Sequence, residues 1–419
     1  MLSLPALFST ASRLLAGAAL AAAMAVPASA SQGWPSGHWV ATWGASPGTV
    51  PANARAFSDQ TLRLIVRTSI GGNRVRIRLS NEMGTTPLHV GEAHIAVRAS
   101  GAEIAPGTDR PLTFSGQAAI TIPPGAPVLS DPVELNVAPL SELAVSIYLP
   151  DTVTSIHGTA SQPNYVSLPG NFTGSSALPT ERTILTLPFL TQVDVDRDAT
   201  AAIVTFGDAI TGSTRNTADA DGRWPSWLAK RLQSARDSNF DMTGRLGMVE
   251  RGIIGARLLS RPAPDEPSAL ERFDREVLAT AGVRYMIVLI GINDIGASPN
   301  DNPVGAQDLI AGYRQLVARA HQQGIAVYGA TLTPFEGAPF YSAAKEQVRQ
   351  TVNDWIRTHE EFDGVLDFDA VTRDPARPTR LLPAYDSGDH LHPNDLGHQA
   401  MGKAVPLELF RSQPAGGKR

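Results

Sequence analysis

The apolar pattern of this 419-residue chain changes once, near Asp198, and that change limits the possible folds more than any single motif does. From about Gln32 to Leu190 the residues alternate with a period of two. Leu62, Leu64 and Val66 interleave with Arg63, Ile65 and Arg67; after Gly71-Gly72, Val75, Ile77 and Leu79 interleave with Arg74, Arg76 and Arg78. Such alternation belongs to strands with one face on a core and one in water, and the Gly-Gly pair between the two runs predicts a hairpin. Leu143, Val145, Ile147 and Leu149 repeat the period, and Pro, Gly and Asn punctuate the region without a helical stripe. The expectation is an all-β antiparallel sandwich of jelly-roll type.

Beyond Asp198, apolar strands alternate with helical stretches. Strands are predicted at 202–206, 246–250, 285–290, 325–332 and 365–368, and helices near 224–234, 268–278, 304–323, 342–359 and 394–410. This order predicts an α/β fold built on a doubly wound parallel sheet. Ligands of such sheets sit beyond the carboxyl ends of the strands. Four polar clusters fall there: Gly207-Asp208-Ala209, Gly255, Asn293-Asp294 and Asp389-His390-Leu391-His392.

The first thirty residues hold one basic residue, Arg13, then an apolar stretch from Leu14 to Val26 and a closing Ala28-Ser29-Ala30, the small-x-small pattern of a signal-peptidase site. Residues 1–30 therefore read as a cleaved export signal, its apolar run shorter than the ~20 residues of a membrane anchor. Periplasmic or extracellular residence is expected, with no stable membrane anchor. Residues 31–190 are assigned to the sandwich, 191–412 to the α/β domain and 413–419 to a disordered tail. The chain has no cysteine, which excludes disulfides and thiol catalysis. Its net charge of −5, without a dense Lys/Arg run, argues against nucleic acid as a partner and for a small or neutral one. Nothing in the pattern speaks for a particular oligomeric state.

Acyl transfer from an ester needs a nucleophile, a base, a group to orient the base and donors for the oxyanion. His392 offers the base. Asp389, three residues earlier in the same loop, can fix its tautomer. Asn293 supplies a side-chain amide, Gly255 an unobstructed backbone N–H, and residue 209 a further N–H. Where the strand runs into the tight Gly-Asp turn, however, the chain carries Ala209 and no hydroxyl. Thr205 lies inside the strand, Thr211 faces away on the new helix and Ser213 is a turn further on. A misplacement of about 1 Å already costs about 10²-fold, so none of them substitutes.

The blocks Phe206-Gly-Asp-Ala-Ile-Thr211, Gly252-Ile-Ile-Gly-Ala-Arg257, Gly291-Ile-Asn-Asp294 and Asp389-His-Leu-His-Pro393 resemble, in this order, the four blocks of the SGNH, or GDSL, hydrolases. The resemblance runs from Thr200 to about Phe410. The stretch from Trp39 to Trp43 also resembles the leading domain of bacterial two-domain members. What this implies is a flavodoxin-like three-layer α/β/α sandwich and a serine esterase or lipase that needs no cofactor and no metal. Its substrate would be an acyl or acetyl ester of a small molecule or a carbohydrate. Position by position, the resemblance implies a nucleophile seat at Ala209, a general base at His392, its orienter at Asp389, and an oxyanion hole from the N–H of Ala209, Gly255 and Asn293. At Gly212-Ser213 the chain departs from the Asp-Gly that often follows the first block. Two accounts of Ala209 stay open, an inactivated esterase and a natural pseudo-enzyme kept for binding acyl groups or acetylated glycans.

The remaining candidates have local readings. Asp208 and Asp294 read as acceptors for turn N–H groups, with Asp208 also a candidate pocket residue, and Tyr385 and Asp386 as pocket residues of the base loop. His390, His392 and His398 lack metal-ligand spacing, and the turn after Gly207 lacks the lysine of a phosphate loop. Arg223-Trp224 reads as a pocket wall or a helix anchor, Trp34, Trp39 and Trp43 as core or as a stacking platform, and Asp367 and Asp369 as end-of-strand acceptors.

Overall fold

The computed structural model describes residues 38–48, 55–154, 157–198, 200–212, 217, 221–234 and 245–410. The expected export signal and C-terminal tail, with Trp34 and Ser213, lie outside the described residues. The N-terminal part consists of antiparallel sheets. A five-stranded sheet runs Trp39–Gly44, Leu190–Asp196, Gly72–Ser80, Val133–Val137, with Pro127–Leu129 also on Gly72–Ser80. A seven-stranded sheet has Gln60–Arg67 between His157–Pro169 and Glu142–Leu149. Leu62, Leu64 and Val66 from the second sheet and Val75, Ile77 and Leu79 from the first meet in one buried cluster, so the core lies between the sheets.

Two expectations about this part are corrected. The runs on either side of Gly71-Gly72 form no hairpin: Gln60–Arg67 pairs with Glu142–Leu149, whereas Gly72–Ser80 pairs with Leu190–Asp196 in the other sheet. The glycines carry the chain across the sandwich. Nor is the arginine face of the first run wet, because Arg63 is fully buried. Its guanidinium donates to Ser146 Oγ on the neighbouring strand at 2.9 Å, and to the loop carbonyls Ala102 O at 2.6 Å and Ser175 O at 2.7 Å. The strand Leu190–Asp196 is hydrogen-bonded on both sides within the antiparallel sheet.

The parallel sheet has the order Leu246–Gly252, Ala201–Gly207, Val283–Leu289, Ala326–Ala330, Gly364–Leu366, or 2-1-3-4-5. This is the flavodoxin-like order, and its switch point lies beside the first strand. Helices Trp224–Ser234 and Asp395–Ala404 pack together, as do Ala306–Gln322 and Ala343–Thr358. The register aligns Gly207 with both Gly252 and Leu289, so the three strands that carry the first three clusters end level.

An exposed edge strand is a template for unwanted pairing, and here the sandwich covers that edge. Met248 N–H donates to Ser69 Oγ at 2.7 Å, and Ala41 N–H to Ala281 O at 3.0 Å. Val40, Ala41, Ile70 and Val195 of the sandwich join the buried cluster of the α/β core. The approach is so close that a Cβ on Gly247 would stand 2.2 Å from Ala41 O, a backbone atom that cannot swing aside. Gly247→Ala is therefore expected to cost about 1–3 kcal/mol by overpacking. Thermal unfolding checks this, and an unchanged midpoint would show that the sandwich yields at this contact.

Candidate active site

The strand Ala201–Gly207 is buried at every position and delivers the chain into a one-turn helix, Ala209–Gly212. Asp208 shapes that turn. Its Oδ1 accepts the N–H of Ile210 at 2.9 Å, and its carbonyl accepts those of Thr211 and Gly212 at 3.1 and 2.9 Å. Ala209 is the first residue of this helix, where backbone N–H groups have no partner within the helix itself. Glycine is required on both sides. A Cβ on Gly207 would lie 2.4 Å from Leu289 O, and one on Gly252 would lie 2.2 Å from Gly212 N. Thr211 is buried with its Oγ1 against Gly207, and the Thr205 hydroxyl faces Val249 O, so neither hydroxyl reaches the position of a residue-209 side chain.

Past the neighbouring strand, Ile253 N–H donates to Gly207 O at 3.2 Å and Ala256 N–H closes a turn on Ile253 O at 3.2 Å. Gly255 sits in that turn with φ at +73°, a left-handed conformation disfavoured for residues with a Cβ, and open space lies beside its Cα. The next strand end holds this loop from the other side. Asn293 Nδ2 donates to Ala256 O at 3.1 Å, while Asp294 accepts the N–H groups of Leu258 at 2.6 Å and Leu259 at 2.9 Å. Residues 209, 255 and 293 thus rise from three adjacent strand ends, two of them linked directly through Ala256.

The base loop is held by its own carboxylates. Asp389 Oδ2 lies 2.8 Å from His392 Nδ1, and its Oδ1 accepts the N–H groups of Leu391 at 3.0 Å and His392 at 2.9 Å. Burial alone would raise the Asp389 carboxyl, but these bonds to His392 and Leu391 outweigh it and hold the group well below the usual carboxylate range. An anion at Nδ1 fixes the proton there and leaves Nε2 as the basic atom. Asp386 serves the loop itself, accepting Gly388 N–H at 2.8 Å and His390 N–H at 3.0 Å and pairing with His390 Nδ1 at 2.5 Å. Tyr385 contributes its carbonyl, which accepts Asn394 N–H at 2.7 Å. His398, buried behind the loop, takes the N–H of Trp224 on Nδ1 at 3.3 Å, and burial pushes its pKa down to about 3. Arg223 pairs with Glu250 and Trp224 is fully buried, so this pair anchors a helix start.

The other candidates are placed by their charges. Asp367 and Asp369 bind Arg357, and Asp369 also binds Arg349. Trp39 lies beneath the guanidinium groups of Arg74 and Arg76, at 5.6 and 4.5 Å from the ring centre. Arg272, which no motif marks, donates its buried guanidinium to Gly207 O at 2.7 Å. Its spacing of four from Glu276 was the available signal, but that pattern ordinarily marks a solvated helix face.

Residues 205–400, just under half of the chain, match the GDSL-like Lipase/Acylhydrolase family. The chain contains a GDSL-type lipase/acylhydrolase domain. Among solved structures, a GDSL-like lipase from Bacteroides thetaiotaomicron is 17% identical, with a TM-score of 0.35 over 50% of this chain and 87% of its own. An acetylxylan esterase from Geobacillus stearothermophilus is 20% identical, with a TM-score of 0.37 over 51% of this chain and 95% of its own. A carbohydrate esterase family 2 enzyme with a carbohydrate-binding domain, from Corynascus thermopiles, is 12% identical, with a TM-score of 0.37 over 85% of this chain and 95% of its own. No curated protein matches the chain. The domain assignment rests on the family match and the strand order.

Two buried carboxyls give the site a pH signature. Burial pushes Asp208 up to about 7, with the nearby charge of Asp294 adding to the effect, and burial pushes Asp294 up to about 6. Asp208 Oδ2 has no hydrogen-bond partner among the described residues. An acid raised above its unfolded value of about 4 binds more protons folded than unfolded between the two values, so stability falls as pH rises through that window. The Asp208 contribution is therefore present near pH 4 and lost by about pH 7, at up to about 1.4 kcal/mol per pH unit. His398 acts oppositely, so the difference between chains is the quantity to read. Denaturant unfolding at pH 5 and pH 8 should show a larger loss for the unmodified chain than for Asp208→Asn; equal losses would place the Asp208 carboxyl in an ordinary, ionised state.

Proposed function

We propose that the protein is an exported carboxylic-ester hydrolase scaffold whose nucleophile seat is occupied by Ala209, so that it binds an acyl or acetyl ester without turning it over. The observation that carries this reading is the bond from His392 Nδ1 to Asp389 Oδ2 at 2.8 Å, a base already oriented with nothing to deprotonate at position 209. In the parent chemistry a residue-209 hydroxyl attacks the acyl carbon while His392 Nε2 takes its proton. The N–H groups of residues 209 and 255 and the second Nδ2 proton of Asn293 receive the oxyanion. Collapse breaks the bond to the alcohol, which leaves with the proton held by His392. Water then attacks the acyl group, again through His392, and the acid departs.

Alanine offers neither the proton nor the lone pair, so no acyl-enzyme forms. A triad stripped of one member retains about 10³–10⁴-fold catalysis over water, from the oxyanion donors and binding alone. The alcohol portion of the substrate is proposed to be small or carbohydrate, in keeping with a net charge of −5 and a sequence without a dense Lys/Arg run. Ala209→Ser is expected to produce a burst and steady hydrolysis of short p-nitrophenyl esters and to react with a fluorophosphonate, and adding His392→Ala should abolish both. A serine variant inert in both assays would sink the catalytic assignment. Calorimetric binding of acetylated xylan that Ala209→Ser leaves unconverted would instead favour a glycan-binding module.

A further inference from the structure

We propose that a buried chain of side chains, Ser46–Glu276–Arg272, runs from the antiparallel domain to the carbonyl of Gly207 and holds the turn that carries residue 209, making the sandwich a working part of the site. The inference rests on the reading of residue 209 as a nucleophile seat. Arg272 is the centre of the chain. Its Nη2 donates to Gly207 O at 2.7 Å and its Nη1 to Arg251 O at 3.0 Å, so one guanidinium grips the ends of two adjacent parallel strands. Its Cζ lies over the Phe206 ring, 4.1 Å from the ring centre. The same Nη1 pairs with Glu276 Oε2.

Glu276 is 1% exposed and Arg272 is 0% exposed, so this pair relies on further hydrogen bonding to the Glu276 carboxylate. The sandwich supplies part of it. Ser46 Oγ donates to Glu276 Oε2 at 2.6 Å and receives Arg272 Nη1 at 3.4 Å. Arg275 takes the other oxygen, Oε1, at 3.1 Å. A second path runs in parallel through Arg251, which donates to Thr191 O at 2.9 Å, Gln192 Oε1 at 2.8 Å and Ala45 O in the sandwich, and to Glu276 O at 3.1 Å in the α/β domain. Gly44 makes room for that guanidinium, since a Cβ there would stand 3.2 Å from Arg251 Cζ. The geometry is set by a change of helix: Arg272 lies in the last turn of the α-helix Ala269–Phe273, while Glu276 lies in the π-helical turn Asp274–Leu278 that follows. Such turns, which widen the helix, are frequent at functional sites.

Arg272, Glu276 and Ser46 are thus positioning residues, acting on residue 209 through the Gly207 carbonyl two peptides upstream. The test reads the turn directly, in the unmodified chain. Amide hydrogen exchange across residues 207–212 should speed up about tenfold in Ser46→Ala and in Glu276→Gln, the effect of losing a hydrogen bond to a charged group. The strand Val283–Leu289 should stay protected. Thr372→Val serves as a control, because it deletes another buried hydroxyl bond, to Phe368 O, away from this chain of contacts. Unchanged exchange at 207–212 in both variants, or acceleration spread evenly over the domain as in Thr372→Val, would overturn the inference. In the Ala209→Ser background, Ser46→Ala is expected to lower kcat about tenfold with KM within about twofold, and equal kcat values would count against it. Failure of Ala209→Ser to hydrolyse esters removes the esterase reading and leaves the exchange result to decide this one.

Discussion

A single buried guanidinium, that of Arg272, makes the rest of this architecture necessary. A cation in a protein interior is costly unless most of its donors are met and a counter-charge lies close. Two backbone carbonyls at the ends of adjacent strands and the Glu276 carboxylate serve the two terminal nitrogens of Arg272. Glu276, equally buried, must in turn be satisfied, and burial is outweighed by Arg272, Arg275 and the Ser46 hydroxyl, which together hold its carboxyl below the usual range. The demand passes outward until it reaches the sandwich. Removing one member of such a set leaves an uncompensated charge at a cost of about 3–5 kcal/mol, which is why the set behaves as a unit.

That demand explains why two layers of different construction behave as one body. Ser69 caps an edge N–H and Ala41 lies against Gly247, contacts that suffice to cover a sheet edge. The charged chain beyond them does something covering does not require, since it reaches the strand end bearing the turn. Apolar contact alone is compatible with sliding, whereas a hydrogen-bonded guanidinium over an aromatic ring fixes both distance and angle. The strand order then supplies the rest, because the switch point of a 2-1-3-4-5 sheet brings residues 209 and 293 out beside each other on neighbouring strand ends.

The α/β half was largely legible because each apolar strand is followed by a helix of clear period, and a parallel order leaves few ways to connect them. Ser342 and His359, expected as helix limits, are the residues that flank Ala343–Thr358. The sandwich was legible in kind and illegible in pairing. A two-residue alternation states that a strand has two faces, and says nothing of which strand lies next to it, so Gly71-Gly72 read as a hairpin where the chain crosses between sheets. Charged side chains misled for a related reason. Arg63 and Arg272 occupy positions that a hydrophobicity pattern assigns to water, and only loops and strands far away in sequence supply the carbonyls that bury them. The base loop escaped that difficulty because Asp389 and His392 are local partners, three residues apart.

Part of the cost of this fold falls at these strand ends and bears on Ala209. Asp208 keeps a buried oxygen without a partner and Arg272 a buried Nε without one among the described residues. Gly255 adopts a left-handed conformation, and Gly207 and Gly252 allow backbones closer than any side chain would permit. Each feature lowers stability relative to a relaxed, apolar alternative, and proteins keep such features where function demands them. A fold long released from chemistry at residue 209 would be expected to shed them through ordinary substitutions, beginning with the partnerless carboxyl of Asp208. Around an alanine, a side chain only one oxygen smaller than serine, these features accord with the proposed reading of residue 209 as a vacated nucleophile seat.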